Sequence, residues 1–118
     1  MKRIAIIDDA TFVREILKKL CEDSGYVVVG EAEDGEQAMR VLESSLPDIA
    51  IVDLVMPKLS GVDLLKVIRP QFPHTKVIVC TTLDADEFER RLDASLYDGV
   101  LKKPFQKEDF QALLKQME

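Results

Sequence analysis

Four short apolar runs rich in β-branched residues, Ile4 to Ile7, Tyr26 to Val29, Ile49 to Val52 and Val77 to Cys80, recur along the chain with helix-patterned segments between them. Each run has the length of a strand and is apolar at consecutive positions. That pattern predicts strands buried on both faces, as in a parallel sheet with helices packed on each side. The intervening segments open on plausible caps. Asp34-Gly35-Glu36-Gln37 and Asp84-Ala85-Asp86-Glu87 match a capping box, and Ser60 stands where it would cap the third helix. The first helix carries Phe12, Ile16 and Leu20 with Val13 and Leu17 beside them, and the last carries Phe110, Leu113, Leu114 and Met117. Both stripes are expected in the core.

A weaker strand at Gly99 to Lys102 precedes the last helix and completes five strand-helix units joined by short loops. The expected fold is α/β, a doubly wound five-stranded parallel sheet. Right-handed crossovers favour the strand order 2-1-3-4-5 for such a chain, with the cleft at the carboxyl ends of strands 1 and 3. The 118 residues suit one domain, 1-118, and a chain of this size buries roughly two-thirds of the surface its unfolded form exposes. The net charge of -6 disfavours nucleic acid, whose phosphates are bound by clustered Lys and Arg. No apolar run approaches the roughly 20 residues that cross a bilayer, and the start lacks a signal-peptide pattern, so a cytoplasmic location without membrane contact is expected. Cys21 and Cys80 have no metal-ligand spacing and read as buried apolar packing.

The first strand ends in Asp8-Asp9 and the third in Asp53, so the expected topology brings three carboxylates together at the switch point. Two like charges about 4 Å apart repel by about 4 kcal/mol at an effective dielectric near 20. A divalent cation removes that cost, and hard carboxylate oxygens in a wet site suit Mg²⁺, which keeps several waters and accepts a phosphate oxygen. Strand 4 ends in Thr81-Thr82 and strand 5 in Lys102-Lys103-Pro104-Phe105. A threonine alone there is more often a cap, and a lysine alone a solvated surface group. Together with a metal and an anion they form a phosphate cradle. Asp53, alone on its strand, is the carboxylate best placed to act as nucleophile, with an aspartyl phosphate as product. His74, in the loop Phe72-Pro73-His74-Thr75, reads as an exposed residue remote from this site.

As a set, Ile7-Asp8-Asp9, then Val52-Asp53-Leu54-Val55-Met56-Pro57 followed by Gly61, then Val79-Cys80-Thr81, then Lys103-Pro104-Phe105 resembles the receiver domain of bacterial two-component response regulators, of the single-domain chemotaxis type. The resemblance spans the chain from Lys2 to the last helix. It implies that Asp53 is the phosphoacceptor, and that Asp9, Asp53 and the Val55 carbonyl ligate Mg²⁺ with Asp8 acting through metal-bound water. Thr81 would hydrogen-bond the phosphoryl group, and Lys103 would pair with Asp53 before transfer and with the phosphate after it. The Lys103-Pro104 bond would be cis. The donor would be a histidine kinase or phosphotransfer protein, and the domain would catalyse its own modification without being a turnover enzyme.

The chain departs from the family pattern at the residue three before the lysine, usually aromatic and here Val100, too small and stiff for an aromatic switch coupled to Thr81. Tyr97 reads as a partly buried core residue, and Leu96-Tyr97 replaces small residues before Asp98-Gly99, which implies unusual packing of helix 4 on strand 5. Val55 and Leu83, two after Asp53 and Thr81, are apolar and do not orient a hydrolytic water, which predicts a long-lived phosphoryl group. Three alternatives stay open at this point. A flavin-binding electron carrier would carry a Gly/Ser/Thr-rich loop after strand 1, where this chain has Asp8-Asp9-Ala10. An aspartyl-phosphate hydrolase would carry Asp-x-Asp there. A receiver-like binding module working without phosphate would share every motif. The chain reads either as a stand-alone regulator or as the receiver of a longer protein with an effector domain. Output is expected through the face of helix 4, strand 5 and helix 5, with Arg90, Arg91, Lys102, Phe105 and Lys107, in a monomer or a phosphorylation-linked dimer.

Overall fold

The structure is a computed structural model and describes residues 2–54 and 60–118. Five strands, β1 (Arg3–Ile7), β2 (Val27–Ala32), β3 (Ile49–Asp53), β4 (Lys76–Thr81) and β5 (Gly99–Lys102), form one sheet in the order β2-β1-β3-β4-β5. All four pairings are parallel. The helices are α1 (Thr11–Asp23), α2 (Gly35–Ser45), α3 (Gly61–Gln71), α4 (Ala85–Arg91) and α5 (Lys107–Gln116), with a 3₁₀ turn at Ala94–Leu96. The expected fold and strand order are those observed.

Successive strand residues point to opposite faces, so a run that is apolar at every position feeds two cores. Ala5, Ile7, Ala50, Val52, Val77 and Val79 pack under α2 and α3, against Leu42, Leu64 and Ile68. Ile4, Ile6, Ile49, Ile51, Ile78 and Cys80 pack under α1 and α5, against Leu17, Phe110 and Leu114. Cys21 and Cys80 are both buried and unbridged, and burial pushes each thiol up to about 12.

Two expectations about burial need correction. β2 begins one residue later than the apolar run and is not buried on both faces; Ala32 is its one buried residue. It is an edge strand, its register shifts opposite Ile4 and Ala5, and Tyr26 has left it, burying its ring and donating from its hydroxyl to Glu118 at 2.6 Å. In α1, Leu17 and Cys21 are buried and Val13 and Leu20 partly so, but Phe12 is 73% and Ile16 40% exposed. Phe12 and Ile16 form a row one turn apart that lies beside the row facing the sheet, so a stripe this wide cannot all be covered.

The caps follow the sequence in two cases of three. Asp34 accepts from the Gln37 N–H, and the Gln37 side chain reaches back to the N–H of Glu33. Ser60 accepts from the Asp63 N–H. Asp84 makes no capping bond, because its carboxylate is engaged by the Lys102 ammonium at 2.8 Å. A capping box that the sequence reading did not pick out, Gln106 with Asp109, starts α5. Among the described residues no helix is long and apolar enough to cross a membrane.

Candidate functional site

The sheet register sets the geometry. Ile7 lies beside Val52, so Asp8, the residue after β1, and Asp53, the last of β3, emerge together. Asp8, Asp9 and Asp53 each offer a carboxylate oxygen, and these lie within 4.8 Å of one another. Asp8 and Asp53 are buried and Asp9 is exposed. Asp8 is held from every side. Its N–H donates to the Ala32 carbonyl, one carboxylate oxygen accepts from the Ala10 N–H at 2.9 Å, and the other accepts from the Lys103 ammonium at 2.8 Å.

Lys103 also lies 3.6 Å from Asp53, so one cation bridges the carboxyl ends of β1 and β3. Burial by itself would push its ammonium down. The hydrogen bond to Asp8 and the charges of Asp53 and Asp8 outweigh it, and the lysine is held above its ordinary value. Its main-chain N–H donates to the Thr81 carbonyl at 2.6 Å, and the Lys103-Pro104 bond is cis. Thr81 is buried at the end of β4, and its hydroxyl oxygen accepts from the Leu83 N–H at 3.1 Å. The topology has therefore gathered Asp8, Asp9, Asp53 and Lys103 around one point, with Thr81 tied to Lys103 through the main chain. Val55 lies outside the described residues.

Three converging hard oxygen donors, one of them open to solvent, fit a Mg²⁺ ion that keeps part of its water shell. The sequence reading did not single out Arg14. On α1, six residues after Asp8, it turns back over the loop, donates to the Asp8 carbonyl at 2.6 Å and to the Thr11 hydroxyl at 3.2 Å, and ion-pairs with Glu31 at 3.5 Å. Its place in the first turn of the helix that follows two adjacent aspartates is the signal that could have found it.

Beside the site, α4 has only seven residues. Val100 is 41% exposed, and Tyr97 and Phe88 pack edge to face with ring centroids 4.9 Å apart, a partly buried tyrosine as expected. A cavity of about 210 Å³ opens between Leu83, Phe88, Tyr97 and Val100. Arg90, Arg91, Lys102 and Lys107 are exposed, while Phe105 is half-buried and stacks on Phe110 at 6.0 Å. His74 is exposed in the loop that enters the opposite end of β4.

A doubly wound sheet that gathers three carboxylates and a lysine over its carboxyl ends defines an α/β domain with a candidate cation site at its switch point. The chain matches the family model of the response regulator receiver domain over residues 4–115, and it belongs to that family. It is 37% identical over 106 residues to the chemotaxis protein CheY of Thermotoga maritima, a match covering 89% of this chain and 88% of that protein. It is 33% identical over 115 residues to the alkaline phosphatase synthesis transcriptional regulatory protein PhoP of Bacillus subtilis, covering 97% of this chain but 47% of that longer protein. Among solved structures, the chemotaxis protein CheY4 of Vibrio cholerae superposes with a TM-score of 0.90 at 28% identity, covering 100% of this chain and 99% of that one. The response regulator TrrA of Thermotoga maritima, crystallised in complex with Mg²⁺-BeF, has a TM-score of 0.90 at 30% identity with both chains fully covered. The chain is thus a receiver module of two-component signalling and not a metabolic enzyme, which sets aside the flavin carrier and the hydrolase.

Proposed function

We propose that residues 1–118 act as one cytoplasmic receiver domain that takes a phosphoryl group from a histidine kinase or phosphotransfer protein onto Asp53 and changes its partner contacts as a result. The observation that carries this reading is the meeting of Asp8, Asp9 and Asp53 oxygens within 4.8 Å, with the Lys103 ammonium 2.8 Å from Asp8 and 3.6 Å from Asp53. Asp9, Asp53 and the Val55 carbonyl, the last outside the described residues, would hold Mg²⁺, with Asp8 behind them. The ion, when bound, supplies positive charge against the crowded carboxylate and phosphoryl oxygens.

The chemistry of this chain's own residues is short. A carboxylate oxygen of Asp53 attacks phosphorus in line, the P–N bond to the donor imidazole breaks, and an acyl phosphate forms. Lys103 moves its pairing from carboxylate to phosphoryl oxygen. The Thr81 hydroxyl, now accepting from Leu83, turns to donate to the phosphoryl group, and the loop before α4 is freed from it. Water attack later returns the carboxylate and inorganic phosphate. Output runs through α4, β5 and α5, in a monomer or a phosphorylation-linked dimer. Without an aromatic at Val100, the message passes through the β4–α4 loop itself.

Intact mass after incubation with acetyl phosphate and Mg²⁺ tests the reading. One added phosphoryl group on the wild type, absent in Asp53→Asn, is expected. A folded wild type that gains no mass would leave a binding module that works without phosphate. The double variant Val55→Asn, Leu83→Glu is expected to lose its phosphate faster than wild type.

A further inference from the structure

We propose that Arg14 is a positioning residue for the acidic loop: it fixes the main chain on both sides of Asp9 and so holds the one exposed carboxylate of the trio where it meets a cation. The inference rests on the metal reading given above. Its basis is the hydrogen bonding of residues 8 to 10. The peptide between Asp8 and Asp9 is held by its carbonyl, which accepts from the Arg14 guanidinium at 2.6 Å. The peptide between Asp9 and Ala10 is held by its N–H, which donates to the Asp8 carboxylate at 2.9 Å. The Ala10 carbonyl in turn accepts from the Arg14 main-chain N–H at 3.0 Å. One residue thus grips the chain before Asp9 through its side chain and after Asp9 through its backbone.

Asp9 needs this support more than its neighbours do. Asp8 is buried with both carboxylate oxygens engaged, and Asp53 is buried at the end of a central strand. Asp9 is exposed, lies outside β1 and precedes α1. A flexible carboxylate that must be ordered when the ion binds loses affinity by that ordering entropy. The Arg14 side chain is 13% exposed and is fixed at three points, so the ordering has been done at folding. Its charge is opposed by Glu31 at 3.5 Å. The contribution is therefore geometric, and a planar fork with several fixed donors performs it better than the single ammonium of a lysine.

The test compares wild type, Arg14→Met, Arg14→Lys and Glu31→Gln in the full chain, titrated with Mg²⁺ alone and followed by amide NMR shifts well below their melting temperatures. Phosphorylation by acetyl phosphate is then measured against Mg²⁺ concentration. Removing a partner that orients a metal ligand typically weakens binding by about tenfold or more, which is the rise in Mg²⁺ Kd expected for Arg14→Met. Arg14→Lys is expected to fall between it and wild type. The half-saturating Mg²⁺ should rise in parallel while the rate at saturating Mg²⁺ is kept. Glu31→Gln, which removes the ion pair and leaves the carbonyl bond, should bind Mg²⁺ as wild type does. A folded Arg14 variant with wild-type affinity overturns the proposal, as does a Glu31→Gln loss equal to that of Arg14→Met. A wild type that binds no Mg²⁺ overturns the metal reading itself and this inference with it.

Discussion

The two halves of the site are built to different standards. At the carboxyl ends of β1 and β3, Asp8 alone is held through its N–H, its carbonyl and both carboxylate oxygens, and Asp53 closes a fully buried strand. At the ends of β4 and β5, the loop into α4 is held by the Thr81–Leu83 bond and the exposed Asp84–Lys102 pair, and it leads to a helix of seven residues beside a cavity. The difference teaches a division of labour. Ligands for an ion must be in place beforehand, whereas a segment that reports a chemical event must be cheap to move.

Glycine substitutions test this contrast most severely. A Cβ at Gly61 would overlap the Asp53 carbonyl oxygen and crowd the Leu54 main chain, against which the Gly61 N–H donates at 3.1 Å. A backbone cannot step aside as a side chain can, so Gly61→Ala is expected to cost about 3 kcal/mol. At Gly99 the nearest atom to an added Cβ is the end of the Leu113 side chain, 2.7 Å away and free to rotate. Urea unfolding should place Gly99→Ala well above Gly61→Ala in midpoint; equal losses would mean that the main chain beneath α3 yields as easily as a side chain of α5 at the far end of β5.

Lys103 joins the halves, since its ammonium belongs to the loop after β5 and its partners to β1 and β3. Lys103→Met removes a charged hydrogen bond to Asp8 and leaves two carboxylates facing each other, an expected loss of about 2 kcal/mol at neutral pH. The sign of the pH dependence follows from the raised lysine value. The folded state holds the proton more tightly than the unfolded one, so the stabilisation is full below the ordinary lysine value of 10.5 and is lost as pH rises through the raised one. The gap between wild type and variant should therefore close in alkali. Cys21, Tyr26 and Cys80, each pushed up to about 12 chiefly by burial, lower the stability of both proteins over the same range; the first two cancel in the difference, and a Cys80→Ala background in both proteins removes the one thiol coupled to Lys103.

Much of this was legible in the chain. Runs apolar at every position specify strands covered on both faces, and Asp8, Asp9, Asp53, Thr81 and Lys103 were readable because each sits where such a run stops. What failed lay at the margins. Tyr26, Phe12 and Ile16 read as core or strand in the sequence, but which residues an edge strand or a wide helical stripe leaves uncovered depends on tertiary packing. Asp84 has the spacing of a cap, and a lysine eighteen positions on engages its carboxylate instead. Arg14 was missed because its partner is a main-chain carbonyl, which carries no residue-type signature.

Within the half at the ends of β4 and β5, the buried tie should outweigh the exposed one. Thr81→Val keeps the volume of a buried residue and removes the acceptor for the Leu83 N–H, so a loss of about 1 kcal/mol is expected in urea unfolding.

Asp84→Ala is the smallest effect and the sharpest check on the division between the halves. The hydrogen bond and charge of Lys102 hold the Asp84 carboxyl below its ordinary value, so whatever it contributes is present above that value and fades as pH falls through the depressed one. Both side chains are open to water, however, and an exposed pair gains little from Coulomb attraction while it orders two flexible groups. The variant should therefore keep the wild-type urea midpoint, and concentrated salt, which shortens the Debye length to about 3 Å at 1 M, should not separate the two proteins. That is the behaviour of a contact that can be released when the Thr81 hydroxyl turns away from Leu83. A loss as large as that of Thr81→Val would instead make the pair an anchor, and the β4–α4 loop would then be as firmly built as the acidic half it is meant to report on.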